Sequence, residues 1–212
     1  MQQTLNQALA WRYATNKFDV TKKVSEENLT SILESANLMP TAYGLQPFRL
    51  IVIADQAVKE SLVEHSYGQK HVADNSHLIV LAARTDIDEA MIAEYTARIE
   101  AIRSLPAGTV DGFKNAMIGD LTNRPEEARL VWAQKQSYLA LGGMMVAASL
   151  LGVDNHALEG FNPVAYNEVL GLTDLKLTAT TILALGYRDE SDASQHYAKV
   201  RLPLETLVIK KQ

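Results

Sequence analysis

One stretch of the sequence limits the fold more than any other: LALGGMMVAASLLGV, residues 139–153. With the residues before it, this stretch predicts one long helix over 129–151, the most apolar helix of the chain. A membrane-spanning helix needs about 20 consecutive apolar residues, so the shorter run predicts a buried core helix. Its small residues, Gly142, Gly143, Ala147 and Ala148, permit the close approach of another helix, either within the core or across a symmetric dimer.

The rest of the chain predicts many helices and few strands. Helices are expected over 4–13, from a cap at Ser25 to Pro40, from Asp55 to 63, from Asp86 to 103, over 110–121, and from Asn162–Pro163 onward. Strands are expected over 50–53, 77–84 and 175–187. The order shows no regular strand–helix–strand alternation, no repeat and no linker. The prediction is a single α+β domain over residues 1–212.

Charge and residue content exclude several classes of protein. A net charge of -5 and a pI near 5.5 argue against a nucleic-acid-binding protein. The absence of cysteine excludes disulfides and thiolate chemistry, and the N-terminus has no signal-peptide pattern. We therefore expect a cytoplasmic protein without membrane attachment. The histidines have no metal-ligand spacing, and no P-loop, GxGxxG or GxSxG motif is present, so no metal site is expected.

Two basic segments near opposite ends of the chain are candidate anion sites. RYATNKFD carries Arg12, Asn16 and Lys17, while AKVRLP carries Lys199 and Arg201. In an extended segment, alternate residues point to one side, so Lys199 and Arg201 can face one anion. The alternatives are solvated cations at a helix C-terminus, where they are favoured electrostatically, and a solvated tail.

Two loops are further candidates. Thr41, Ala42 and Gly44 lie between two prolines, and their small side chains allow backbone N–H groups to approach a ligand. An ordinary connection between a helix and a strand explains this loop equally well. Glu159 and Gly160, in ALEGFNP, indicate no more than a loop when taken alone.

Taken together and in this order along the chain, these segments resemble the motifs of a known family, although no single segment does. RYATNKFD, a small-residue loop leading into LQPF, then EGF and AKVRLP resemble the motifs of the nitroreductase family of FMN-dependent NAD(P)H oxidoreductases. The resemblance implies an α+β fold with a central, mainly antiparallel sheet flanked by helices. It also implies an intertwined homodimer with two FMN molecules at its interface. The long apolar helix would form much of the dimer core, and the C-terminal tail would wrap the partner.

The resemblance also implies roles for individual residues. Forked guanidinium groups and an ammonium group suit a phosphate, and they come here from Arg12, Lys199 and Arg201. The other implied cofactor contacts are Tyr13, Ala14 and Asn16 at the ring and ribityl chain, and Thr41, Ala42 and Gly44 from the other subunit. Gln69 would contact the isoalloxazine. Glu159 and Gly160 would lie at the reactive edge, where a backbone N–H reaches flavin N5. On the substrate and NAD(P)H side we expect Tyr43 and Arg103, although a solvated helix-end arginine explains Arg103 as well.

Two positions depart from the family pattern. Relatives commonly carry Lys or Arg where Asn16 stands, beside the N1/O2 side of the flavin, and Ala14 replaces a frequent hydroxyl residue. Reduced flavin gains negative charge on that side, and a cation stabilises it. We therefore predict a less positive flavin potential than in relatives with a cation there, unless Lys17 reaches the same place.

The implied activity is ping-pong hydride transfer from NADH or NADPH, through flavin N5, to a small-molecule acceptor: a nitroaromatic, a quinone, a free flavin or a pteridine. No side chain has to act as acid, base or nucleophile, because the flavin carries the chemistry. The alternative is an FMN-binding protein that sequesters or senses FMN with little reductase turnover, since the binding residues would be the same.

Overall fold

The computed structural model describes residues 4–211, which build an antiparallel sheet covered by helices. The sheet has four strands in the order β1-β2-β4-β3, and every neighbouring pair is antiparallel. The strands are β1 (Phe48–Ile53), β2 (His77–Arg84), β3 (Asp154–Leu158) and β4 (Leu177–Gly186). The two central strands are buried along almost their whole length, which explains why they read as continuous apolar runs. The predicted α+β class and antiparallel sheet are confirmed.

The described part of the chain contains eight α-helices: α1 (Leu5–Trp11), α2 (Glu26–Leu38), α3 (Gln56–Ser61), α4 (Glu89–Ile102), α5 (Asp111–Leu121), α6 (Glu126–Leu150), α7 (Pro163–Val169) and α8 (Leu204–Leu207). The predicted caps at Ser25, Asp55 and Asn162 are confirmed, because each side chain accepts hydrogen bonds from the first turn of its helix.

Several sequence-based boundaries were wrong, among them the end of α3, which is Ser61 and not residue 63, and the start of β1, which is Phe48 and not residue 50. The cap of α4 is Asp88 rather than Asp86, because Asp86 forms a two-pronged ion pair with Arg84 at 2.7–2.8 Å. Helix α1 ends at Trp11, two residues before its expected end. Helix α6 begins at Glu126, directly after Pro125, and not at residue 129. In addition, the sequence did not predict strand β3.

Helix α6 lies in the core, as its apolar run predicted. Together with α2 it covers one face of the sheet, where Ala140, Met144 and Ala148 are fully buried. Gly143 faces the end of α2, since an added Cβ would overlap the side chain of Met39. Around Gly142, in contrast, the space is open. Close packing within the chain therefore explains why a glycine stands at position 143, but it does not explain the glycine at position 142.

The C-terminal tail follows β4 and leaves the body of the protein. Residues 197–211 are exposed throughout and contain only the short helix α8. Large apolar side chains with more than half of their surface exposed are concentrated here: Tyr197, Val200, Leu202, Leu204, Leu207 and Ile209. Among residues 4–211, no helix combines the length and the apolar character that crossing a membrane requires.

Candidate functional site

A cavity of about 540 Å³ lies between the end of α1 and the C-terminal tail. From the N-terminal side it is lined by Arg12, Tyr13 and Asn16, and from the tail by Lys199 and Arg201. The remaining lining residues are Ala10, Trp11, Ala14, Ser194, Gln195, Tyr197 and Ala198. The two basic segments that the sequence singled out at opposite ends of the chain therefore meet at one place.

The N-terminal segment of this cavity is fixed by the edge of the sheet. After α1 the chain turns extended, and single bridges pair Ala14 with Asn155 and Phe18 with Arg188. The guanidinium of Arg188 lies over the ring of Tyr13, 4.7 Å from its centroid, and Arg188 Nε donates to Asp154 Oδ1 at 2.8 Å. Arg188, which is itself bound to Asp154, therefore fixes the ring of Tyr13 by packing against it.

The three cations of the cavity face one another without a carboxylate partner. Arg12 Nε donates to Asn155 Oδ1 at 3.2 Å, and Lys199 Nζ donates to the carbonyl oxygen of Arg12. Within residues 4–211, Arg12, Lys199 and Arg201 form no salt bridge. Burial and then the charge of Arg201 lower the pKa of Arg12, while burial and then Arg12 and Arg201 lower the pKa of Lys199. An anion in the cavity would relieve this repulsion.

Asp192 connects the two segments, and sequence reasoning missed it. Its Oδ2 accepts hydrogen bonds from the Tyr13 hydroxyl at 3.0 Å and from the N–H groups of Asn16 and Lys17 at 2.9 and 3.2 Å. Its Oδ1 accepts from the N–H of Ser194 at 3.0 Å. Burial opposes the charge of Asp192, but the N–H bonds from Ser194, Lys17 and Asn16 outweigh it and lower its pKa.

A second group forms around Gln69 and Gly160. Gln69 Nε2 donates to the carbonyl oxygens of Gly160 and Ser66, at 2.7 and 2.9 Å. The backbone N–H of Gly160 donates to no atom of the described chain, so it is available to a ligand. Glu159 accepts a hydrogen bond from the Tyr138 hydroxyl of α6, and burial together with this bond raises the pKa of Tyr138 to about 12. The structure thus brings the predicted residues Gln69, Glu159 and Gly160 together.

Tyr67 lies beside this second group and was also missed. Its side chain is 77% exposed, and its backbone has a left-handed φ of 54°. The next residue, Gly68, is left-handed as well, with φ 76°. A left-handed conformation is an outlier for a bulky residue and often marks a functional site. The Tyr-Gly pair in YGQK was the one signal in the sequence, since glycine favours such a turn.

The loop with Thr41, Ala42 and Gly44 forms a third, separate group. Ala42 N–H donates to Gln136 of α6 at 2.8 Å, and the Thr41 hydroxyl accepts from the N–H of Gln46 at 3.1 Å. Gly44 has φ 77°, and an added Cβ would overlap the hydroxyl of Tyr95. No hydrogen bond within residues 4–211 links this loop to the cavity or to Gln69.

The two residues predicted on the substrate side have different surroundings. Tyr43 has the left-handed φ of 60° and is fixed by its hydroxyl, which donates to Asp120 of α5 at 2.8 Å, and by its carbonyl, which accepts from Tyr95 at 2.7 Å. Its ring meets Phe113 edge to face, with the centroids 6.0 Å apart. Arg103 lies exposed just after α4, and its side chain makes no hydrogen bond or ion pair in the part of the chain described.

Two histidines stack behind the N-terminal segment. The ring centroids of His71 and His156 are 4.2 Å apart, and His156 Nδ1 lies 3.0 Å from the carbonyl oxygen of Thr15. Burial, and then the neighbouring His156, lower the pKa of His71 to about 4. The pair therefore stays neutral at physiological pH and packs as aromatic rings.

Comparison with known proteins identifies relatives along the whole chain. A family model described as "Nitroreductase family" matches residues 9–187. A protein of Staphylococcus haemolyticus named "Putative NAD(P)H nitroreductase" is 35% identical, over 98% of this chain and 97% of its own length. A protein of the same name from Staphylococcus saprophyticus is 36% identical, over 89% of this chain and 90% of its own length.

Solved structures show the same fold. The nitroreductase-like protein ydfN of Bacillus subtilis superposes with a TM-score of 0.87 at 20% identity, covering 97% of this chain and 98% of that one. A protein of Exiguobacterium sibiricum, described as a nitroreductase in complex with FMN, superposes with a TM-score of 0.81 at 23% identity, with both chains fully covered.

Proposed function

This chain belongs to the nitroreductase family, and from that premise we propose that it is an FMN-dependent NAD(P)H oxidoreductase. The observation that carries the proposal is the cavity in which Arg12, Lys199 and Arg201 face one another without a carboxylate. Three such cations are held together at an electrostatic cost, and a phosphate with two negative charges offsets it. The relatives' names and the FMN complex of a structural neighbour support the same cofactor and hydride donor.

The residues present fit the parts of FMN. The three cations would hold its phosphate, while Tyr13, Ala14 and Asn16 line the same cavity beside them. Gln69 and Gly160 form a polar edge, with an amide and an unused N–H that can bond ring oxygen and nitrogen atoms. The strained loop around Tyr43 and Gly44 has small residues and a fixed backbone that suit close approach to a flat ring.

A homodimer would complete this site. Within residues 4–211, Thr41, Ala42 and Gly44 make no hydrogen bond to the cavity, as expected if they contact the cofactor held by the partner. Two exposed apolar surfaces support the assembly: the tail, where Val200 is 86% exposed, and the outer face of α6, where Leu139 is 44% exposed next to Gly142. Apolar surfaces of this kind mark protein–protein interfaces. We propose that the tails are exchanged and that α6 lies at the centre of the dimer.

Bound FMN would supply two-electron redox chemistry between NADH or NADPH and an electron-poor acceptor such as a nitroaromatic, quinone, flavin or pteridine. The protein's part is to bind and to orient. Arg12, Lys199 and Arg201 would fix the phosphate end, and the Gly160 N–H would donate to the reactive edge. The Tyr43 ring, held by Asp120, would limit how bulky an acceptor can be. NAD(P)H is an intracellular reductant, which supports a cytoplasmic location.

Anaerobic NAD(P)H oxidation tests the proposal. Purified protein reconstituted with FMN is mixed with NADPH or NADH, and menadione or nitrofurazone is added as acceptor. We expect nucleotide oxidation that requires FMN and an acceptor. A protein that binds FMN but oxidises neither nucleotide would contradict the reductase function and favour FMN sequestration or sensing. Sedimentation of the same sample checks the dimer, and a monomer with bound FMN would contradict the shared site.

A further inference from the structure

Asp192 is a buried carboxylate between the two segments that supply the cations. Only 2% of its surface is exposed, and all four of its partners are hydrogen-bond donors. A carboxylate accepts on both oxygens, whereas an amide must turn an NH₂ group toward one of these donors. The site therefore suits an aspartate and no isosteric neutral residue.

We infer that Asp192 is a positioning residue that sets the spacing of the three cations around the phosphate, an inference that rests on the function proposed above. Tyr13, Asn16 and Lys17 lie in the same short segment as Arg12, and Ser194 precedes the segment with Lys199 and Arg201. By binding both groups, Asp192 clamps one cation-bearing segment against the other. Asn16 Nδ2 donates to Ser194 Oγ at 3.0 Å and reinforces the clamp.

The charge of Asp192, considered alone, predicts the opposite effect of this residue on FMN affinity. Asp192 forms no ion pair with Arg12, Lys199 or Arg201, so its charge does not neutralise them directly. A negative charge near the cavity repels a phosphate, and removing it should strengthen FMN binding if charge alone mattered. If Asp192 positions the cations, its removal weakens FMN binding. The two explanations therefore differ in sign.

The test compares Asp192→Asn with Glu190→Gln. Both variants remove one negative charge from the same segment, but Glu190 is exposed and its side chain makes no hydrogen bond in the described part of the chain. The affinities of FMN and of riboflavin, which lacks the phosphate, are measured by fluorescence titration. We expect Asp192→Asn to bind FMN about tenfold more weakly, as loss of a charge-assisted hydrogen bond predicts. Riboflavin has no phosphate and should lose less affinity than FMN, and Glu190→Gln should bind both ligands as the unmodified protein does.

Unchanged or tighter FMN binding by Asp192→Asn would overturn the inference. Equal losses for FMN and riboflavin would also overturn it, because they would indicate a general structural defect and no specific effect on the phosphate. Should Asp192→Asn not fold, Ser194→Ala removes the hydroxyl that accepts a hydrogen bond from Asn16 Nδ2, and so weakens the same connection between the two segments. The expected result is then weaker binding of FMN than in the unmodified protein, with a smaller loss for riboflavin; unchanged FMN binding, or an equal loss for both ligands, contradicts the inference.

A second measurement separates this inference from the function itself. If the unmodified protein binds no FMN, the proposed function fails, and inorganic phosphate then serves as the probe. Hydrogen exchange is followed for the amides of residues 12–17 and 198–201 with and without phosphate. Slower exchange with phosphate in the unmodified protein, but not in Asp192→Asn, would support the positioning role. Equal slowing in both proteins, or none in either, would overturn it.

Discussion

Among the side chains of the cavity, Arg201 is the one whose replacement by glutamine best separates an effect on FMN affinity from an effect on folding. Arg201 is exposed, and its one hydrogen bond, from Nη1, goes to the carbonyl oxygen of its own neighbour Val200 at 2.7 Å. Its charge lowers the pKa of both Arg12 and Lys199, so it repels them. Removing Arg201 therefore costs the folded protein no hydrogen bond or ion pair with the body of the described chain, and relieves the repulsion between the cations.

The expected loss of FMN affinity follows from the interaction removed. A hydrogen bond from a charged group contributes about 1.5–3 kcal/mol, and each 1.4 kcal/mol is a factor of ten, so Arg201→Gln should bind FMN roughly 10- to 100-fold more weakly. Riboflavin has no phosphate and should bind equally to both proteins. Because the cavity is open to solvent, salt should weaken FMN binding less in the variant than in the unmodified protein.

Fluorescence titrations with FMN and riboflavin at two salt concentrations measure these effects, and a thermal melt of the cofactor-free protein measures folding. Arg98→Gln is the matched control, because Arg98 is an exposed arginine of α4 outside the cavity. We expect Arg201→Gln to melt at the same temperature as the unmodified protein or higher. Equal FMN affinity in the two proteins, or an equal loss for riboflavin, would refute the assignment of Arg201 to the phosphate.

Three further predictions concern stability and redox behaviour. In the folded protein the pKa of His71 is lowered from 6.5 to about 4, so the unfolded chain binds a proton at a higher pH than the folded protein does. The free energy of unfolding should therefore fall as the pH drops from 6.5 toward 4. We expect His71→Phe to reduce this fall by roughly 3 kcal/mol, measured by urea titrations across that range. Gly44→Ala should destabilise the protein more than Gly68→Ala. Both glycines have a left-handed backbone, but only at Gly44 would the new Cβ overlap another side chain, that of Tyr95. Equal melting temperatures of the two variants would contradict this prediction. Asn16→Lys should raise the flavin potential, because a cation stabilises the reduced ring, and a redox titration that shows no change would refute the role given to Asn16.

Much of the core could be predicted because the signals were local. The apolar run of α6 predicted a buried helix, and Ser25, Asp55 and Asn162 predicted helix starts that the structure confirms. In each case the physical cause, side-chain burial or the capping of free N–H groups, acts within a few residues of the signal. Strand β3 is the counterexample. Its sequence, DNHAL, has no strand-like alternation, and its conformation depends on pairing with β4.

The site was predicted only where the signal was a residue type in a short pattern. Arg12, Lys199 and Arg201 stood out as cations with a characteristic spacing, and the structure lines one cavity with all three. Asp192 did not stand out, because it is one acidic residue in a polar segment and its burial arises only after the chain ends meet. Tyr67 was missed for a related reason, since its left-handed backbone has no strong sequence signature.

The visible absorbance spectrum of the purified protein, before and after anaerobic addition of NADPH and then NADH, shows whether the protein binds a flavin that these nucleotides reduce. The account predicts the absorbance bands of oxidised flavin, in the isolated protein or after reconstitution with FMN, and their bleaching by one of the two nucleotides. A protein that stays colourless after reconstitution with FMN would contradict the assignment of Arg12, Lys199 and Arg201 to a flavin phosphate. Bands that neither nucleotide bleaches would contradict the oxidoreductase function.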